Sequence, residues 1–146
     1  MNGTKFHKYV LVIALLFVSP FAGCTSIQPS TPPASIEESS AYQAFKKRPV
    51  NDCSRLIYLI DHFKESDLEI NYDGYYYKAP FAAAIARAFL AANYRRETVP
   101  QWIMKWCNTT IGGHLIYVKF PDGKHRLSRD VLLDESKSLE RAITSP

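Results

Sequence analysis

The chain has 146 residues, with 18 basic and 14 acidic side chains and a net charge of +4, which leaves room for one small domain. Its basic groups are scattered as Lys46-Lys47-Arg48, Arg95-Arg96 and Lys124-His125-Arg126, with acids between them. A nucleic-acid footprint needs a concentrated basic stripe, so nucleic acid is excluded as a partner.

Lys5 and Lys8 open the chain with a short basic segment, Tyr9 to Val18 is an unbroken apolar run, and small residues follow at Ala22 and Gly23 before Cys24. That is the layout of a secretory leader. Tyr9 to Gly23 is only 15 residues and includes Ser19 and Pro20, short of the roughly 20 that a membrane-spanning helix needs. A cleaved leader is therefore favoured over a retained anchor. A cysteine directly after Ala-Gly resembles the bacterial lipoprotein box. The resemblance implies a leader over 1–23, a diacylglyceryl group on Cys24, and attachment to the membrane through that lipid. Thr25 in place of Asp resembles the pattern of lipoproteins sent to the outer membrane, with the body facing the periplasm. Removing the leader takes Lys5 and Lys8 and no acid, so 18 basic side chains become 16 against 14 acidic ones, or +2.

Residues 24–50 read as the lipidated N-terminus and a flexible tether. Thr25 to Ser40 is rich in Ser, Thr and Pro and poor in large apolar groups, too little to offset the entropy of ordering it. Ala41 to Val50 is transitional, with Tyr42 and Phe45 as early core contacts. The folded domain is placed at 51–142, with 143–146 as a frayed tail.

Within that domain Asn51 or Asp52 caps a first helix, in which Leu56, Ile57, Leu59, Ile60 and Phe63 recur at helical spacing through Lys64. Two alternating runs around Asp73-Gly74 predict a hairpin with a type I′ turn. Tyr72 then faces Tyr75 and Ile70 faces Tyr77. One sheet face carries Leu68, Ile70, Tyr72, Tyr75 and Tyr77. Glu69, Asn71, Tyr76 and Lys78 lie on the other, wetter one. Pro80 starts an Ala-rich second helix to about Asn93, with Phe81, Ile85 and Phe89 in one stripe. Thr98 and Gln101 predict a capping box for a third helix carrying Trp102, Ile103 and Trp106 and ending near Cys107. After Gly112-Gly113, His114 to Phe120 and Lys124 to Leu127 predict a second hairpin. Ser128 caps a final helix with Val131, Leu132, Leu133 and Leu139. The fold class is α+β: about four helices packed on a small antiparallel sheet built from two β-hairpins.

Asp67-Leu68, Asp73-Gly74, Tyr77 and Ala82, then Thr98, Trp102-Ile103, Thr109-Thr110-Ile111, Gly113, Val118-Lys119 and Pro121, make a pattern that resembles the small bacterial envelope proteins of the YfeK type. The likeness runs from about Arg55 to Pro121. It implies the fold and the envelope address and brings no activity with it. Polar residues frequent on the second helix of that family are replaced here by Ile85-Ala86 and Phe89.

Export leaves Cys53 and Cys107 as an even pair in an oxidising compartment, which favours a Cys53–Cys107 disulfide over two free thiols or a metal site. Asp61-His62 places a carboxylate beside an imidazole, but neighbouring helix residues point about 100° apart, so the two do not form a ready-made dyad. His114 and His125 flank the second hairpin and lack a third metal ligand at suitable spacing. No metal, cofactor or catalytic group is therefore assigned. Tyr and Trp suit sugar or protein recognition, and Tyr76, on the wetter face, is the candidate surface contact. The reading is a non-enzymatic lipid-anchored envelope protein with a binding or assembly role, whose partner is an envelope protein or a cell-wall glycan. The alternative is a hydrolase acting on a cell-wall component through Asp61, His62, His114 or His125.

Overall fold

The computed structural model describes residues 36–145, so the leader, Cys24 and the tether segment as far as residue 35 lie outside the described residues. After a single 3₁₀ turn at Ile36–Glu38 come helices α1 (Ser40–Phe45) and α2 (Asp52–Lys64). Strands β1 (Glu69–Tyr72) and β2 (Tyr75–Lys78) follow, then α3 (Ala79–Asn93) and α4 (Val99–Trp106). Strands β3 (Tyr117–Lys119) and β4 (His125–Leu127) lead into α5 (Ser128–Thr144). The four strands form one antiparallel sheet in the order β2-β1-β3-β4, so the two hairpins join through β1 and β3 in the expected α+β architecture. Among the described residues no helix is long and apolar enough to cross a membrane.

Helix α2 is the hub and packs against α1, α3, α4 and α5. Asn51 caps it by accepting from the Ser54 amide at 2.9 Å. Leu56, Tyr58 and Leu59 bury one stripe, and Tyr58 is the most enclosed large side chain, at 0% exposed. Its ring meets Phe45 edge-on at 5.9 Å and Tyr42 edge-on at 6.4 Å, geometries that suit the aromatic quadrupole. Trp102, Ile103, Leu90 and Leu139 complete the helical core.

The folded body begins earlier than residue 51. Ser39 caps α1 through the Tyr42 amide, Ala41, Tyr42 and Phe45 are buried, and the Tyr42 hydroxyl donates to the Ala142 carbonyl at 3.2 Å. Two aromatic rings three residues apart bury enough surface to order a single turn and a half, and they make a fifth helix. At the other end α5 continues to Thr144, past the point where fraying was expected, and closes with the Ser145 amide donating to Arg141. Ser128 does not cap α5. It is the first helical residue, 1% exposed, and its amide donates to the Ile116 carbonyl at 2.9 Å, so its cap is a backbone contact. The strand expected over 114–120 shortens to three residues because His114 and Leu115 belong to the preceding loop, held by a Thr109–Leu115 bridge.

The first hairpin has the expected register, Tyr72 opposite Tyr75 and Ile70 opposite Tyr77, and Asp73 and Gly74 both take positive φ, 53° and 85°. Continued across the sheet, Ile70 faces Val118 and Val118 faces Arg126. That face turns to the helices. Val118 is buried, Tyr77 stacks on Phe81 of α3 at 5.7 Å, and Arg126 donates to Asp134 of α5 at 2.6 Å. Tyr75, expected on the buried face, is 69% exposed. It shares the parity of Tyr77 but stands beside the turn, past the end of the helix layer, so parity alone does not bury it.

Because α1 belongs to the core, replacing Phe45 with Ala is expected to destabilise the protein by about 3–5 kcal/mol, as for other large aromatics removed from a core. Urea unfolding measures this. A loss under about 1 kcal/mol would return residues 40–50 to the tether.

Candidate functional site

The opposite face of the sheet carries two rows of side chains read from the register. Lys78, Glu69, Lys119 and His125 form one row, and Tyr76, Asn71, Tyr117 and Leu127 form the other. Both α3 and α5 lie on the Val118 side, so among the described residues no helix covers this face. Tyr76 starts on edge strand β2 and reaches across β1 and β3, where its hydroxyl and His125 Nε2 on the other edge strand are hydrogen-bonded at 3.1 Å. Lys119 Nζ sits 5.0 Å from the Tyr76 ring centroid and donates to Glu69 Oε2 at 2.9 Å. That hydrogen bond raises the lysine's pKa, so its charge is retained at every physiological pH. Asn71, Tyr76, Tyr117 and His125 bound a shallow depression, and a second, along the β3–β4 turn, shares His125. Tyr76 is 49% exposed, as its place on the wetter face requires. The result is a flat aromatic and amide platform edged by one acid and three bases, able to stack against a ring or apolar group and to hydrogen-bond around it.

The four groups of the hydrolase reading are held apart. Asp61 pairs with Arg48 at 3.3 Å and Arg87 at 3.7 Å. His62 Nδ1 bonds Glu135 at 3.1 Å, His114 Nδ1 bonds Asp73 at 2.9 Å, and His125 bonds Tyr76. Among the described residues no two of the four are within hydrogen-bonding reach of each other, and no three His, Cys, Asp or Glu side chains converge on a metal position. The Asp73–His114 pair has the form of an oriented imidazole. The hydroxyl at hand, Thr110 Oγ1, donates to the same Asp73 oxygen at 2.6 Å and also accepts from the His114 amide at 3.2 Å. The hydroxyl therefore serves the carboxylate and the loop, and is not presented to the ring nitrogen as a nucleophile would be. Hydrogen bonds from Thr110 and then His114 hold the Asp73 carboxyl below the usual carboxylate range. This cluster ties the β1–β2 turn to the 109–115 loop.

Cys53 and Cys107 stand as two free thiols, and the expected bridge is not formed. Cys53 lies in the first turn of α2, near Tyr94 where α3 ends. Cys107 caps the far end of α4 and packs on the helical core, where burial pushes its thiol up to about 12. The α4 helix, about 12 Å long over its eight residues, separates its Thr98 end from Cys107.

The part-buried polar pair that the sequence reading missed is Tyr58 with Glu135. The Tyr58 hydroxyl donates to Glu135 Oε1 at 2.8 Å, and His62 bonds the same oxygen while stacking on the Tyr58 ring at 5.4 Å. Burial and then Glu135 push the Tyr58 phenol up. Burial pushes Glu135 up as well, but hydrogen bonds from His62 and Tyr58 outweigh it and hold the carboxyl below its usual value. The Glu135 hydrogen bond raises His62 against the opposing effect of burial. The spacing Tyr58-x-x-x-His62 puts both on one helix stripe and was the available signal.

No family, curated protein or solved structure matches the chain.

His62 gains its partner on folding, so its folded pKa lies above the unfolded value of about 6.5. Its contribution to stability is complete below pH 6.5 and is lost as pH rises through the folded value. The stability difference between the parent protein and His62→Gln is therefore expected to shrink as pH rises above about 6.5, measured by urea unfolding. A difference that grew with pH would reverse the assignment.

Proposed function

We propose that this chain is a lipid-anchored protein of the bacterial envelope, held through Cys24 at the outer membrane and facing the periplasm, and that its domain acts by recognition. The observation that carries the recognition reading is the uncovered sheet face, with Tyr76 laid across it from edge to edge and Asn71, Tyr117, Lys119 and His125 around it. Polar groups on an open sheet face usually point to water as separate side chains. Here one aromatic ring is pinned at its hydroxyl and flanked by a fixed cation, which lowers the entropy lost when a ligand settles on it. The partner classes that suit such a platform are an envelope protein or a cell-wall glycan, since both present flat apolar faces with hydroxyl or amide edges. The resemblance to envelope proteins of the YfeK type supports the address. The leader-like segment and Ala-Gly-Cys support the anchor.

Two variants test the two halves of this reading. Cys24→Ser is expected to leave an unprocessed precursor, and a variant that matured normally and stayed with membranes would refute the lipid anchor. Tyr76→Ala is expected to change thermal stability by less than about 1 kcal/mol, because the residue is half exposed and its contacts are at the surface. The same variant should lower the yield of crosslinks to the envelope partner severalfold. Undiminished crosslinking by a folded Tyr76→Ala protein would remove the sheet face as the recognition surface.

A further inference from the structure

The first half of α3 is inverted. The helix buries Ala79, Ala83 and Leu90 and turns Phe81 and Ile85 outward, at 57% and 51% exposed. Every exposed residue of this helix is apolar, since Ala84, Ala88, Ala91 and Ala92 join Pro80, Phe81 and Ile85 on the open side. Its two polar residues are committed within the chain, Arg87 to Asp61 at 3.7 Å and Asn93 to the Phe89 carbonyl at 2.9 Å. An amphipathic helix normally buries its larger apolar groups and shows charge to water. Here Ala79 and Ala83 let the first half of α3 lie close to α2, Phe89 and Leu90 of the second half pack on the helical core, and Phe81 and Ile85 are left for something else.

The order of residues along the face says what that is. Phe81, Ile85, Ala88 and Ala92 are spaced four, three and four apart, the seam spacing of two packed helices. The large residues occupy the first half of the seam and the small ones the second. In a parallel pair Phe81 would meet Phe81 and the alanines would face a gap. In an antiparallel pair about a two-fold axis between Ile85 and Ala88, Phe81 of each copy lies over Ala92 of the other, and Ile85 lies over Ala88. Large then meets small at every level, no ionisable group is buried, and the two helix dipoles oppose favourably. Tyr77, stacked on Phe81, and Tyr75 beyond it extend the same ridge.

We infer that this face of α3 pairs with a second copy of the chain as an antiparallel two-fold dimer. The inference is independent of the sheet face and of the lipid. At about 200 Å² per aromatic side chain, the open fractions of Tyr75 and Phe81 come to about 250 Å². Ile85 and the exposed alanines bring each copy to about 500 Å², so a pair buries about 1,000 Å², the lower edge of a specific interface. The dimer is accordingly weak and reversible.

The test is cysteine crosslinking of the full chain in its own membranes with a short bismaleimide, the parent chain serving as the blank. Near the two-fold axis, Ala88→Cys should give a covalent dimer. Ala92→Cys should give about fivefold less or none, because the two copies of residue 92 are about 16 Å apart along the helix axis at 1.5 Å per residue. Adding Ile85→Glu to Ala88→Cys should abolish the dimer while leaving thermal unfolding unchanged, since residue 85 is half exposed. Equal yields at 88 and 92, no yield at either, or a dimer indifferent to Ile85→Glu would each overturn the inference. So would a monomeric chain that binds phosphatidylglycerol-containing vesicles through this face and is released from them by Ile85→Glu, which would make the occupant lipid.

Discussion

The fold depends on one buried hydroxyl. Tyr58 puts the largest fully enclosed side chain of the helical core at the centre of α2, against Tyr42 and Phe45 of α1. A phenol taken out of water must find an acceptor or lose about 1–3 kcal/mol, and the acceptor is Glu135 of α5, 77 residues further along the chain. The carboxylate in turn takes a second donor, His62, which stacks on the same ring. One residue thus gathers α1, α2 and α5. Arg55 to Glu140 at 2.5 Å repeats the α2–α5 link about one turn away. With α5 fixed on α2, strand β4, which runs directly into α5, is fixed too, and α3 does the same for β2. The sheet is suspended between two helices that are themselves anchored elsewhere.

That arrangement separates the stabilising core from the proposed recognition face. The helical core holds the aromatic cluster, both tryptophans and the polar pair around Glu135. The sheet contributes Ile70 and Val118 to the packed side and leaves its other side open. Tyr76, Asn71, Lys119 and His125 are therefore able to carry a contact surface whose chemistry can vary with little effect on folding. The apolar face of α3 uses a different set of side chains again, so the proposed self-association surface and the proposed recognition surface share no residues.

Much of this was legible in the chain. The Asp73-Gly74 turn, the pairing of Tyr72 with Tyr75, the Thr98–Gln101 capping box and the span of α2 all follow from local chemistry, and each is found in place. What local chemistry could not show is depth. Period-two alternation places Tyr75 and Tyr77 on one face but says nothing of where the helix layer ends, so Tyr75 emerges exposed. The expected stripe of Phe81, Ile85 and Phe89 is split: Phe89 packs on the two tryptophans, whereas Ala79 and Ala83 take the place against the neighbouring helix in the first half and leave Phe81 and Ile85 outside. Among its aliphatic neighbours Tyr58 reads as half-polar until its acceptor is known, and the acceptor is distant in sequence. Residues 41–50 read as transitional with Tyr42 and Phe45 as early core contacts, and the placement of both in the core depends on distant partners, Tyr58 and Ala142 among them. The Tyr76–His125 contact joins opposite edge strands and requires the full strand order, which neither hairpin implies by itself.

The separation of the two roles can be measured in a single experiment, native-state hydrogen exchange of the full chain resolved by residue. Amides in the middle of α2, around Leu56 to Ile60, should exchange only by global unfolding, with the highest protection in the molecule. Amides of β2, a four-residue edge strand at the margin of the core, should exchange by local opening at a markedly lower free energy. Protection of β2 equal to that of α2 would contradict this division and would make the sheet face part of the folding core.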